Sequence, residues 1–93
     1  MFIITNTCFN GEYTPSKAET LKEAQEWMKE CTAGNIRSGF GNNSNDLYSK
    51  TDDEVIAWAK ENVEGFVFTE TGSKIYYNGE SYNIMNIYNT DEI

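Results

Sequence analysis

Glu19, Glu23, Glu26 and Glu30 recur at spacings of four, three and four residues. On an α-helix this sets four carboxylates along one stripe, with neighbours ~5–6 Å apart. That interval is close to the spacing of phosphates along a nucleic-acid strand. Lys22 and Lys29 interleave with the acids and are expected to pair with neighbouring glutamates, neutralising the stripe in part. Glu61 and Glu64, with Asp91 and Glu92, are expected to extend the negative surface. The chemistry open to such a surface is electrostatic recognition of a cationic partner; a solvated helix face is the plainer reading of the same pattern.

The residues for other chemistry are missing or badly spaced. The chain has no histidine, which removes the commonest general base and metal ligand and every Ser-His or Cys-His arrangement. Cys8 and Cys31 are too few for a disulfide framework and form no CxxC; they read as small buried thiols. Gly39-Phe40-Gly41 is a bare GxG without the strand and helix of a phosphate cradle. Asn43, Asn45 and Asp46 lack the spacing and terminal Glu of a calcium loop. Asn42-Asn43-Ser44 matches a glycosylation acceptor, a match that carries weight only in a secreted chain. We therefore expect a protein that is not an enzyme, with no catalytic residue, no metal and no cofactor.

Several elements position these residues. Thr20 to Glu23 reads as a capping box that opens a helix, followed by Leu21, Ala24, Trp27, Met28 and Cys31 at helical spacing and stopped by Gly34. Thr51 to Glu54 is a second capping box, followed by a stripe of Val55, Ile56, Ala59 and Val63 with Trp58 at its border. Between the helices, 34–50 is rich in Gly, Asn and Ser and reads as a long loop, where Arg37, Phe40 and Tyr48 are the residues placed to contact a partner.

The remaining segments read as strands. Phe2 to Phe9, the turn Asn10-Gly11 and Glu12 to Ala18 predict a hairpin whose second arm is interrupted at Pro15. Residues from Gly65 to Tyr88 predict a three-stranded meander with turns at Gly72-Ser73 and Asn78-Gly79. Two-residue loops then set Ile75 opposite Tyr82 and Phe68 opposite Tyr77. The expected core face is Phe66, Phe68, Ile75, Tyr77, Tyr82, Ile84 and Tyr88. The other face is polar, with an apolar patch of Val67, Met85 and Ile87 that would suit a second copy. The fold expected is α+β and two-layered: an antiparallel sheet in the order β-β-α-α-β-β-β with two helices packed on one face. The 93 residues suit a single domain, 1–93.

Fifteen acids against seven bases give a net charge of −8 at pH 7. This balance argues against direct contact with nucleic acid or an anionic membrane, both of which call for a basic face. No basic segment precedes the apolar N-terminal run, so a cytoplasmic location is expected. The whole profile points to a small acidic protein-binding module whose partner is a basic protein surface, itself nucleic-acid-binding. In size, charge and composition the chain resembles the inhibitors that phages encode against bacterial defence, anti-restriction and anti-CRISPR proteins among them. That resemblance implies a possible nucleic-acid mimic in the host cytoplasm; the chain itself is expected to be a monomer or weak homodimer. Two alternatives stay open: an immunity protein or antitoxin neutralising a cationic toxin, and a small-molecule-binding domain using the aromatic sheet face.

Overall fold

A computed structural model describes residues 1–8, 11–42 and 44–92. Phe9 and Asn10 of the first expected hairpin, Asn43 of the acceptor sequence, the Glu92 side chain and Ile93 lie outside the described residues.

The chain forms an antiparallel sheet with two helices against it. Its strands are β1 (Phe2–Cys8), β2 (Gly11–Glu12), β3 (Ser16–Ala18), β4 (Val67–Phe68), β5 (Gly72–Tyr77) and β6 (Glu80–Asn89). Their spatial order is β2-β1-β6-β5-β4, with β3 also paired to β1. The second arm of the first hairpin splits into β2 and β3 around Pro15, which has no N–H to give to a ladder. The chain's two end strands meet at the centre: β1 and β6 pair from Phe2↔Asn89 to Cys8↔Asn83.

Helix α1 spans Leu21–Phe40, so Gly34 does not end it and the expected loop 34–50 shrinks to a connector, 41–51. Gly34 costs the helix about 1 kcal/mol relative to Ala. Against that, Ala33 and Ile36 become fully buried and Phe40 packs on the same cluster. Tertiary burial, at about 1.5–3 kcal/mol for a large aliphatic side chain, outweighs the local preference. The helix ends at Gly41, whose N–H donates to the Arg37 carbonyl at 2.8 Å.

The connector is built from side-chain amides. Asn42 Oδ1 accepts from the N–H groups of Ser44 (2.8 Å) and Asn45 (3.1 Å), and Asn45 Oδ1 accepts from the Asn42 N–H at 3.0 Å. A 3-10 turn, Leu47–Ser49, then tucks Leu47 into the core. Helix α2, Asp52–Asn62, opens on a complete capping box: Glu54 N–H donates to Thr51 Oγ1 at 3.2 Å, and Thr51 N–H donates to Glu54 Oε1 at 3.1 Å. Its buried face is Val55, Ile56 and Ala59, continued by Val63 beyond its end.

The last hairpin departs from the expected register. Asn78 (φ 53°) and Gly79 (φ 82°) make the turn and Tyr77 faces Glu80, as two positive-φ positions demand. One residue pair further on, Tyr76 faces Ser81 while Ile75 faces Asn83, so Tyr82 is an extra residue in β6, a β-bulge. The bulge reverses the alternation of everything after it. Asn83, Met85 and Ile87 therefore lie buried under the helices, whereas Tyr88 is 48% exposed and Ile84 only half-buried. The expected core face holds for Phe66, Phe68, Ile75 and Tyr82, which line the core; Ile84 and Tyr88 are corrected to the outer face, and Tyr77, beside the Asn78-Gly79 turn, is exposed. The apolar patch proposed for a second copy is dissolved with them, because Met85 and Ile87 are core residues and only Val67 remains exposed.

The β4–β5 turn also moves. Gly72-Ser73 is not the loop: Phe68 faces Ser73, and the turn is closed by Thr69 N–H donating to the Gly72 carbonyl at 2.8 Å. Ser73 thereby enters the core and finds a partner there, accepting from Thr32 Oγ1 at 3.0 Å. The core has two clusters. One gathers Ile36, Leu47, Val55, Ile56 and Ile75; the other gathers Ile4, Met28, Met85 and Ile87; Phe68 packs against both.

Candidate functional site: an acidic helix face

Helix α1 turns Ala24, Met28, Thr32 and Ile36 into the protein. Its opposite side carries the acidic stripe, and Glu19, Glu23, Glu26 and Glu30 are all exposed. Glu19 stands just before the N-cap. Thr20 Oγ1 accepts the Glu23 N–H at 3.1 Å, as the capping box requires. The Glu23 carboxylate reaches past Thr20 to accept the Glu19 N–H at 3.3 Å, so its position is fixed by the helix start.

Of the two cations expected to neutralise the stripe, one is directed elsewhere. Lys29 pairs with Asp53 of α2 at 3.3 Å. Lys22 makes no ion pair among the described residues, and neither do Glu19, Glu26 or Glu30. Like charges at i, i+4 destabilise a helix by about 0.2–0.5 kcal/mol per pair, a cost this helix carries at Glu26–Glu30. Beside the stripe, Cys31 is half-buried; burial pushes its thiol pKa up, and the Glu30 charge adds to the shift. Both Cys8 and Cys31 are thiols, with no disulfide between them.

Glu61 and Glu64 are exposed at the far end of α2 and just beyond it, on a different element from the stripe. The loop residues are not equivalent. Arg37 belongs to α1 and is a clamp: Nε donates to the Leu47 carbonyl (3.1 Å), Nη2 to the Lys50 carbonyl (2.7 Å) and Nη1 to Asp52 Oδ1 (2.9 Å). Phe40 is half-buried, with its ring 5.3 Å from Tyr77 and 6.3 Å from Trp58. Tyr48 is the exposed member, at 68%.

A groove of about 480 Å³ adjoins the stripe, between the first half of α1 and the β4–β5 turn. Phe68 and Met28 lie on its apolar side, and Lys22, Glu26, Lys29 and Glu70 bring charge to it. Gln25 Nε2 donates to the Glu70 carbonyl at 3.0 Å, fastening the turn to the helix. Sequence reasoning missed this groove because it placed the turn at Gly72-Ser73, which makes Glu70 a strand residue opposite Ile75.

Among the described residues no group of His, Cys, Asp and Glu side chains is arranged to hold a metal ion. No helix among them is long and apolar enough to cross a membrane. The chain matches no family model, no curated protein and no solved structure.

Proposed function

We propose that this chain is a small acidic protein-binding module that inhibits a basic, nucleic-acid-handling protein. It offers carboxylates where that protein expects phosphates, in the manner of phage anti-restriction or anti-CRISPR inhibitors, and it acts by binding in the cytoplasm rather than by catalysis. The observation that carries the reading is the stripe on α1, whose four glutamates have Lys22 as the one nearby lysine not drawn to another acid. Lys29 is committed to Asp53, Lys22 makes no ion pair, and Glu19, Glu26 and Glu30 are exposed without one among the described residues. Glu23 is held at the helix start and the backbone of α1 sets the order of Glu26 and Glu30 behind it, and charge gathered on one face raises association rate and discriminates between partners. Glu61 and Glu64 add to the long-range field that draws in a cation.

The test is retention of nucleic-acid-binding proteins from a bacterial lysate on the immobilised chain, followed by assay of the retained protein's nucleic-acid binding. The reading predicts that nucleic acid and the chain compete for the retained protein. It also predicts that Glu19→Lys/Glu26→Lys/Glu30→Lys abolishes retention, whereas Glu12→Lys/Glu80→Lys, at two exposed acids away from the stripe, preserves it. A retained protein that binds nucleic acid and the chain together would overturn the mimicry.

A further inference from the structure

We infer that the groove between α1 and the β4–β5 turn receives an arginine side chain of the basic partner, an inference that rests on the reading of the acidic face above. Glu26 belongs both to the stripe and to the groove, so the groove is continuous with the surface a cationic protein would cover. Of the groove's two lysines, Lys29 has its ammonium 3.3 Å from Asp53. That leaves the carboxylates of Glu26 and Glu70 against Lys22 alone, on a molecule with a net charge of −8.

The apolar side of the groove selects the kind of cation. Phe68 is half-buried, and Met28 is buried beneath it in the second core cluster. An arginine lays its methylene stem along such a surface while its head stays polar. The planar guanidinium stacks on an aromatic face and donates to carboxylates through a rigid fork, which a lysine ammonium cannot do. The site is held in shape before any partner arrives: Gln25 ties the Glu70 carbonyl to α1, and Thr69 closes the turn through its backbone N–H to Gly72. An anchor so placed has carboxylates of the stripe around it, the arrangement in which a single buried arginine dominates an interface.

The experiment is a titration of the ¹⁵N-labelled chain with Nα-acetyl-arginine amide, read by backbone amide shifts. Saturable shifts are expected at Gln25, Glu26, Thr69 and Glu70. Glu70→Gln should weaken binding roughly threefold or more, the loss of one exposed charge contact, and Phe68→Leu should weaken it without any change of charge. Nα-acetyl-lysine amide should bind more weakly. Shifts that spread over Glu19, Glu23 and Glu30 without saturating would overturn the proposal, as would equal binding of the two amides or an unchanged titration in Glu70→Gln. The titration needs no partner protein, so the two readings fail separately. A silent groove leaves salt-dependent retention of a basic protein intact. A saturable groove in a chain that retains no nucleic-acid-binding protein sinks the function and keeps the site.

Discussion

Arg37 near the end of α1 and Asp52 at the start of α2 form an ion pair at 2.9 Å, and the same guanidinium holds the Leu47 and Lys50 carbonyls. One side chain thus closes the connector 41–51 onto both helices. Arg37→Ala should lower the unfolding free energy by roughly 2–3 kcal/mol, since it strands a carboxylate and two carbonyls bonded to a charged donor. Arg37→Lys keeps the charge without the fork and should recover only part of the loss. Urea denaturation measures both, and hydrogen exchange should show protection lost around Leu47 and Lys50.

Two glycines give opposite expectations from backbone conformation alone. Gly79 has φ +82° and Gly34 is an ordinary helical residue; a methyl added at either meets nothing within 4 Å. Gly79→Ala should destabilise by roughly 1–2 kcal/mol, the cost of a left-handed residue with a Cβ. Gly34→Ala should stabilise by about 0.5–1 kcal/mol, because alanine loses less entropy in a helix. Thermal melts of the two variants decide it. If Gly34→Ala lowered the melting temperature, a continuous α1 would be contradicted.

The α2 capping box makes stability depend on pH. The Thr51 backbone N–H, then the Thr51 side chain, hold Glu54 below the usual carboxylate range. A carboxylate whose pKa is lower in the folded chain than in the unfolded one contributes stability that is fully present above its unfolded pKa. That contribution is lost as pH falls through the folded value. Glu54→Gln should therefore flatten the acid limb of the stability curve below about pH 5, read by denaturation at a series of pH values. A limb as steep as that of the unmodified chain would remove Glu54 from the account.

The α+β architecture and the strand and helix order were legible in the sequence because they rest on local chemistry. Thr51 and Glu54, Asn78 and Gly79, and the 3.6-residue stripe of α2 each carry their own signal. What was not legible depends on partners distant in the chain. Gly34 reads as a stop unless one knows that Ile36 and Phe40 find a core to enter. The bulge at Tyr82 has no local mark, yet it moves Met85 and Ile87 inward and Ile84 and Tyr88 outward, since strand faces alternate with a period of two. The same limit holds at the site. The spacing of Glu19, Glu23, Glu26 and Glu30 placed the stripe, but Lys29 turning to Asp53 and Arg37 turning to Asp52 are tertiary facts. The groove exists only once the β4–β5 turn is set beside α1.

The central claim is that recognition runs through the carboxylates of α1. Its most direct test is the dissociation constant for the retained nucleic-acid-binding protein, measured across a salt series. The unmodified chain should bind more weakly as salt rises, because exposed charges beyond a Debye length are screened. Glu19→Gln/Glu26→Gln/Glu30→Gln should bind more weakly at low salt and show a shallower dependence on log salt concentration. An unchanged affinity and slope in the triple variant would contradict the account.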